Sequence, residues 1–216
     1  MATSETPHPP RTADEDADVA ATTPSAATGR PVPVPKPGEF APDVTLRDTD
    51  GAEGRLSDLW SRTPRGLAVV FFRHFGCPFC RQHATQLRRD YDRFGEAGLH
   101  LVAVGQGTPE EGAQFQRRLK LPYPILVDAD RAAYRAYGLR EGTSKEMTGP
   151  RVGIAFFRSL LRGHRPGGVG QHGNISQLHG EFLIDREGIL RYAVRPTRPS
   201  DIPATDDLIA AARDLI

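Results

Sequence analysis

Cysteine is scarce in this chain: it has 216 residues and two cysteines, Cys77 and Cys80. Small secreted domains that depend on disulfide bonds are much richer in cysteine. A chain of this length can bury a sufficient core without covalent cross-links. The scarcity therefore excludes a disulfide scaffold and indicates that the two cysteines serve chemistry rather than stability.

Excess charge and long apolar runs are also missing. The formal net charge is +1, and a near-neutral chain gives no sign of nucleic-acid binding. No apolar run approaches the roughly 20 residues that a membrane-spanning helix needs. The N-terminus lacks the basic start and apolar centre of a secretory signal. We therefore expect no nucleic-acid partner, no membrane partner and a cytoplasmic location.

The composition divides the chain into a tail and one domain. Residues 1–37 are rich in Pro, Ala, Thr, Asp and Glu and have no periodic apolar pattern. Such a segment cannot offset the entropy of ordering, which predicts a disordered tail over 1–37 and a folded domain over 38–216. Within the domain, residues 140–177 are predicted to be an irregular insert.

Strands alternate with helices along the domain, and this predicts an α/β fold with a central sheet. The segment 67–72 is apolar at every position, as in a central strand that is covered on both faces. Near the end of the chain, residues 182–192 contain two apolar runs around an Asp-Arg-Glu-Gly turn, which predicts an antiparallel hairpin.

Helix signals follow several of these strands. Apolar residues at helical spacing from Cys80 to Phe94 predict one amphipathic helix that begins near Cys80. Thr108 and Glu111 have the spacing of a capping box at the start of a second helix. Asp130 is predicted to cap a third, short helix.

The two cysteines lie where the apolar strand gives way to the first of these helices. A helix N-terminus directs unpaired backbone N–H groups and positive dipole charge at the preceding turn, and this favours a thiolate there. Cys77 is therefore the predicted nucleophile. Once Cys77 is oxidised or bonded to a substrate, Cys80 can displace the adduct and close a disulfide.

Two other interpretations of the Cys-x-x-Cys spacing remain open. His83 extends it to Cys77-x-x-Cys80-x-x-His83, which could form part of a zinc site, although no further cysteine exists to supply a fourth ligand. An inert disulfide would close a very short loop and remove little chain entropy. Covalent haem attachment is excluded, because it requires histidine directly after the second cysteine and Arg81 stands there.

Several segments together resemble a known family. They are the string Arg73-His74-Phe75-Gly76-Cys77-Pro78-Phe79-Cys80 and the downstream segments 124–128, 134–138 and 182–188. Over about 38–216 the chain is similar to the peroxiredoxin-like branch of the alkyl hydroperoxide reductase/thiol-specific antioxidant (AhpC/TSA) superfamily. The resemblance implies a thioredoxin-like fold: a central mixed sheet flanked by helices, with the reactive cysteine at the start of a helix.

The sequence departs from that family's usual pattern around the reactive cysteine. Typical peroxiredoxins have a proline seven residues before it, a threonine or serine three before it, and an arginine on a later strand. Here those positions hold Val70, His74 and, by alignment of the terminal strand, His179. Because the absent hydroxyl and guanidinium groups would bind the peroxide oxygens as the O–O bond breaks, we expect weaker stabilisation of the transition state.

Residues around the dithiol are the candidates for supporting roles. Positive charge close to Cys77 would lower its pKa and raise its thiolate fraction. The simpler interpretation of Arg81 and His83 is exposure on the first helical turn. The supporting candidates are Arg73, His74, Pro78, Phe79 and Arg81, and the substrate-pocket candidates are Phe75, His179 and Glu181.

The insert contains a short amphipathic helix, predicted over 154–161. Its apolar residues have three interpretations: docking on the sheet, lining a substrate groove or facing a partner. Docking is favoured, because amphipathic helices are mostly core elements.

The sequence and the resemblance together predict a thiol-dependent oxidoreductase without a bound cofactor or metal. Cys77 would attack a hydroperoxide or a related oxidised small molecule, and Cys80 would resolve the product. A thioredoxin-like or low-molecular-weight thiol would then reduce the disulfide, and a homodimer is compatible with the sequence. The alternatives are a non-catalytic thioredoxin-fold protein that binds a metal or a partner, and a tailoring enzyme for a specific small molecule such as an endoperoxide.

Overall fold

The computed structural model describes residues 33–168, 170 and 173–215. The tail predicted over 1–37 therefore lies outside the described residues except for 33–37. The strands of the described region are β1 (Thr45–Arg47), β2 (Glu53–Arg55), β3 (Gly66–Phe71), β4 (Leu99–Gly105), β5 (Ile125–Val127), β6 (Gly180–Asp185) and β7 (Leu190–Val194).

These strands form one mixed sheet in the order β2-β1-β5-β4-β3-β6-β7. The three inner strands β3, β4 and β5 run parallel, while β1 and β6 pair with them in the antiparallel sense. Every residue of β3 is buried, which confirms the predicted central strand. The predicted hairpin is also confirmed, since β6 and β7 pair antiparallel.

Helices cover both faces of the sheet. Alternate β3 residues face opposite sides: Leu67, Val69 and Phe71 pack with α1 and α5, whereas Ala68 and Val70 pack with α2, α3, α4 and α8. None of the described helices is both long enough and apolar enough to cross a membrane. The helices are α1 (Leu56–Trp60), α2 (Pro78–Arg89), α3 (Tyr91–Glu96), α4 (Pro109–Leu119), α5 (Ala132–Ala136), α6 (Ser144–Thr148), α7 (Pro150–Leu161) and α8 (Thr205–Ala210), and a 3-10 turn (Ala211–Asp214) follows α8.

The helix after the cysteines differs from the predicted one in its continuity. It begins at Pro78, which is near Cys80 as predicted, and it ends at Arg89. Asp90, with φ −95° and ψ 10°, separates it from α3. The apolar spacing nevertheless continues across the break, because Phe94 of α3 joins the same core cluster as α2. Periodicity alone could not reveal this break.

The two predicted helix caps have different outcomes. Thr108 Oγ1 accepts the N–H of Glu111 at 3.3 Å, and the Glu111 carboxylate accepts the N–H of Thr108 at 3.0 Å, which confirms the capping box of α4. The cap predicted at Asp130 is wrong. The Asp128 carboxylate instead accepts the first three N–H groups of α5 at 3.1, 2.8 and 3.3 Å. Because Arg131 adopts a left-handed conformation with φ 56°, the chain reverses and places the helix start over Asp128.

The insert over 140–177 contains two helices, α6 and α7. Helix α7 begins at Pro150 rather than at 154, and its buried residues Val152 and Ser159 lie on the side that packs against α2. Phe157 and Leu161 are exposed. The favoured interpretation, docking on the sheet, is therefore wrong for this helix: it rests mainly on α2 and leaves apolar side chains uncovered.

Candidate functional site

The two cysteines occupy the first turn of α2 and its preceding residue. Cys77 is the N-cap, with φ −70° and ψ 124°, and Pro78 is the first helical residue. The chain is held there because the Cys77 N–H donates to the carbonyl of His74 at 3.1 Å, and the Arg81 N–H donates to the carbonyl of Cys77 at 3.0 Å. Both cysteines are free thiols, 1% and 4% exposed.

Arg73 is the charged residue in direct contact with both sulfur atoms. Its Nη1 lies 3.2 Å from Cys77 Sγ, and its backbone N–H donates to Cys80 Sγ at 3.2 Å. The rest of the guanidinium is held by carbonyl groups: Nε donates to Gln177 O at 2.8 Å, and Nη2 donates to Ile175 O. The side chain is buried, so its charge acts on the sulfur atoms with little screening by water.

The 174–177 segment that holds Arg73 is itself anchored by two amide side chains. Gln106, at the C-terminal end of β4, donates to the carbonyl of Arg73 and accepts the N–H of Asn174 at 2.8 Å. The Gln177 Nε2 lies 3.2 Å from the carbonyl oxygens of Leu139, Arg140 and Leu178, which share its two N–H donors. The sequence analysis did not find Gln106 or Gln177. The position of Gln106 directly after a parallel strand was the available signal for it, because side chains at that edge of a sheet converge.

The pKa values of the two cysteines are shifted in opposite directions. Burial acts to raise the pKa of Cys77, but the hydrogen bond from Cys80, the charge of Arg73 and the N–H groups of Cys80 and Phe79 outweigh burial and lower that pKa to about 6. Burial and the neighbouring Cys77 raise the pKa of Cys80 well above its ordinary value. At neutral pH Cys77 is therefore ionised and Cys80 is a hydrogen-bond donor to it.

His74 stands on the Cys77 side as a neutral group. Burial, with a smaller contribution from the charge of Arg73, lowers the pKa of His74 to about 4. Its Nδ1 has no hydrogen-bond partner among the described residues. Its backbone carbonyl, rather than its ring, contacts Cys77 by accepting the Cys77 N–H.

Three polar residues are buried on the Cys80 side. His83 Nε2 lies 2.8 Å from Glu181 Oε1, and both side chains are almost fully buried. His179 Nε2 lies 3.0 Å from the carbonyl of Asp201, and burial, with a smaller contribution from His83, lowers the pKa of His179 to about 3. His83 and His179 line a narrow space beside Cys80 that has no room for a water molecule. His83 is therefore buried, and the simpler interpretation of an exposed helix residue is wrong for it.

The zinc interpretation fits this geometry poorly. The polar neighbour of the His83 ring nitrogen Nε2 is a carboxylate oxygen, Glu181 Oε1, at 2.8 Å. Across the described residues, no three His, Cys, Asp or Glu side chains are grouped as for a metal ion.

Phe75 and Arg81 lie on a different side of the dithiol turn. Phe75 packs against Phe115 with ring centroids 4.9 Å apart, and Arg81 Nη1 donates to the carbonyl of Arg165 at 2.9 Å. Gly76 allows the insert to approach closely: its carbonyl accepts the Gly167 N–H at 2.9 Å, and a Cβ on Gly76 would lie 2.1 Å from the carbonyl oxygen of Gly168. A cavity of about 180 Å³ opens there, lined in part by Phe75, Gly76, Arg81, Glu111, Phe115 and Arg118.

Comparison with known proteins gives one family. Residues 37–193 match the AhpC/TSA family. The chain is 32% identical over 122 residues to the chloroplastic thioredoxin-like protein AAED1 of Arabidopsis thaliana, covering 56% of this chain and 48% of that protein. It is 29% identical over 102 residues to the chloroplastic peroxiredoxin Q of Oryza sativa subsp. japonica, covering 47% of this chain and 46% of that protein. The chain thus spans about half the length of these two relatives.

A solved structure gives the fold. Peroxidoxin BcpB from Mycobacterium tuberculosis superposes with a TM-score of 0.62 at 20% sequence identity, covering 83% of this chain and 97% of that one. This likeness confirms the expected thioredoxin-like fold, with a central mixed sheet flanked by helices.

Proposed function

Since this chain belongs to the AhpC/TSA family, we propose that it is a thiol-dependent oxidoreductase in which Cys77 attacks the substrate and Cys80 resolves the product. The observation that carries the proposal is the contact of 3.2 Å between the Arg73 guanidinium and Cys77 Sγ at the N-cap of α2. Charge and helix N–H groups together keep a buried sulfur ionised, and the thiolate is the reactive form of cysteine.

The proposed first step is reduction of a hydroperoxide. The Cys77 thiolate attacks the terminal peroxide oxygen, so that an S–O bond forms and the O–O bond breaks. The alkoxide that leaves takes up a proton and becomes an alcohol, while Cys77 is oxidised to a sulfenic acid. Arg73 supports this step, because a guanidinium beside the sulfur can donate to the oxygens as charge develops on them. In the usual family pattern the guanidinium comes from an arginine on a later strand. His179 aligns with that arginine here, and Arg73 supplies the guanidinium from a position before the cysteines.

The proposed second step closes the disulfide. Cys80 loses its proton and attacks the Cys77 sulfur, an S–S bond forms, and the sulfenic oxygen leaves as water. The position of Cys80 in the first turn of the same helix supports this step. An external dithiol then reduces the disulfide and is itself oxidised. Because Cys77 is only 1% exposed, both substrate and reductant require a local opening of the surrounding loops.

Reduction of a protein disulfide is a second candidate function. The ionised Cys77 and the protonated Cys80 are three residues apart. This suits attack of Cys77 on a substrate disulfide, which forms a mixed disulfide and expels one substrate thiolate, followed by attack of Cys80 on Cys77, which closes the Cys77–Cys80 disulfide and releases the second substrate thiol. The chemistry at the two cysteines is the same in both candidates, and the oxidant differs.

Single turnover of the reduced protein with three oxidants tests both candidates. Hydrogen peroxide, an organic hydroperoxide and a protein disulfide are mixed with the protein in a stopped-flow instrument, and the products are identified by mass spectrometry. We expect Cys77→Ser to abolish oxidation, and Cys80→Ser to react once and retain a sulfenic acid on Cys77 that a sulfenate-specific reagent labels. A disulfide as the fastest oxidant would favour the second candidate. Full reactivity of Cys77→Ser with every oxidant would refute both.

A further inference from the structure

Helix α7 exposes a row of bulky apolar side chains although its opposite side packs against α2. Ile154, Phe157 and Leu161 are 57%, 62% and 73% exposed. At about 100° of rotation per residue they lie within about 60° of one another around the helix axis. Scattered exposed apolar residues are ordinary, whereas a contiguous apolar patch marks an interaction surface. The row is referred to below as the α7 apolar stripe.

Arginines border this stripe. Arg151, Arg158 and Arg162 fall within about 40° of one another on one flank of the stripe, and Arg165 follows the end of the helix. All four are exposed, and none of their side chains forms an ion pair or a hydrogen bond with another described residue. The stretch 147–180 contains these four arginines and no aspartate or glutamate, although the net charge of the whole chain is +1. No described residue therefore neutralises the positive charge beside the stripe.

The same surface is continuous with the start of α2. Three of these arginines and Ile154 line a cleft of about 450 Å³ that extends to Phe79. Phe156 packs edge-on against Phe79 with ring centroids 6.4 Å apart, and Ser159 Oγ donates to the carbonyl of Pro78 at 3.4 Å. Helix α7 is thus fixed to the turn that carries the cysteines.

We propose that the α7 apolar stripe and its arginines dock on the surface of an anionic phospholipid bilayer. A helix face of this kind lies in the bilayer interface, where apolar side chains enter the upper acyl region and basic side chains remain at the phosphate groups. The bilayer surface offers the apolar layer and the negative charge together. A second copy of the chain fits less well, since contact through the stripe would bring the unneutralised arginines of both copies to one interface.

No membrane partner was expected from the sequence, because no apolar run is long enough to span a bilayer. A surface helix needs no such run, because only one face of it leaves water. The 12 residues of α7 are enough for this mode of binding. Which face of α7 stays exposed depends on its packing against α2, and the sequence pattern does not contain that information.

Vesicle flotation of the full chain tests the proposal. Phosphatidylcholine vesicles are compared with vesicles that also contain phosphatidylglycerol, at low and at high salt. We expect flotation with the anionic vesicles alone, and weaker flotation at high salt, because salt screens the arginines. Arg158→Gln/Arg162→Gln should lower the partition coefficient by about 30-fold, at roughly 1 kcal/mol for each arginine near the surface. Phe157→Glu/Leu161→Glu should reduce flotation to the background level.

Matched variants elsewhere on the surface serve as controls. Arg62→Gln/Arg186→Gln removes the same amount of charge from exposed positions, and Phe40→Glu changes another exposed apolar residue. Both should float as the parent chain does. An absence of flotation, equal flotation with neutral vesicles, or equal losses in the control and α7 variants would each overturn the proposal.

Sedimentation velocity without lipid tests the alternative occupant. We expect a sedimentation coefficient that Phe157→Glu/Leu161→Glu leaves unchanged. A dimer that this variant converts to monomer would assign the stripe to contact between two copies and would overturn bilayer docking.

Flotation is scored without turnover, so it is independent of the proposed oxidoreductase activity. Single-turnover oxidation by hydrogen peroxide should be the same in every α7 variant, which also shows that each variant is folded.

Discussion

Arg73 is the charged residue that acts directly on the Cys77 sulfur. Burial of a thiol by itself raises its pKa, and Cys77 is almost fully buried. The hydrogen bond from Cys80, the guanidinium of Arg73 and the helix N–H groups overcome this effect and bring the pKa of Cys77 to about 6. The sequence identified Arg73 as a candidate because of its proximity to the dithiol. It could not show that the carbonyls of Ile175 and Gln177 hold the guanidinium in place.

The rate of reaction between Cys77 and a small hydroperoxide should follow the thiolate fraction. The thiolate predominates above the pKa of about 6. The rate should therefore be constant above this pKa and fall about tenfold for each pH unit below it. Arg73→Met removes the cation and should raise the midpoint of the profile by about one to two pH units. Stopped-flow rates measured across the pH range check both expectations.

Arg81→Met is the matched control for this experiment. Its guanidinium donates to the carbonyl of Arg165 rather than to a sulfur atom, so the midpoint should remain near that of the parent. Arg73→Lys retains a positive charge and should give an intermediate midpoint. Equal midpoints for Arg73→Met and the parent would show that Arg73 does not set the pKa of Cys77.

At the scale of single elements, a helix begins where a side chain is available to accept its free backbone N–H groups. In α4 the capping residues Thr108 and Glu111 are only three residues apart in sequence, and the motif predicts the boundary correctly. In α5 the capping carboxylate comes from Asp128, at the end of the preceding strand, because the left-handed Arg131 reverses the chain. A local motif is predictable from sequence, whereas a cap supplied across a turn depends on the backbone path.

Asp128→Ala should therefore destabilise the protein more than Asp130→Ala. Loss of the carboxylate that accepts three N–H groups of α5 should lower the free energy of unfolding by about 1–2 kcal/mol. The neighbouring Asp130→Ala should change it by less than about 0.5 kcal/mol. Urea denaturation gives both values. A larger loss for Asp130→Ala than for Asp128→Ala would contradict the observed capping.

At the scale of the whole molecule, the sheet brings together residues that are far apart in sequence. Strand β6 pairs with β3, and this places Glu181 against His83 of α2 beneath the dithiol turn. Both side chains are almost fully buried. Removal of one partner from such a pair leaves the other buried without compensation, whereas replacement of both by apolar groups is far less costly.

Glu181→Leu should lower the free energy of unfolding by about 3 kcal/mol, because His83 would lose its buried partner. The double variant His83→Leu/Glu181→Leu should be more stable than Glu181→Leu alone. Urea denaturation of the two single variants and the double variant gives the coupling between the residues. Glu187→Leu, at an exposed turn position, should change stability by less than about 0.5 kcal/mol. Additive losses from the two single variants would show that the pair is not coupled.

Features that depend on local pattern could be predicted from the order of the amino acids. The fully apolar strand β3, the hairpin of β6 and β7, and the dithiol at a strand-to-helix junction were all predicted, because residue spacing and turn residues specify them. The helix predicted to begin near Cys80 begins at Pro78.

Which distant groups meet, and which faces stay uncovered, depends on how the chain packs in three dimensions. The carbonyls around Arg73, the pairing of His83 with Glu181 and the exposure of the α7 apolar stripe all depend on how separate segments pack. Residue spacing defines the faces of an element, but the element that covers each face comes from another part of the chain. The contacts that tune the pKa of Cys77 and leave the stripe open are therefore properties of the folded molecule.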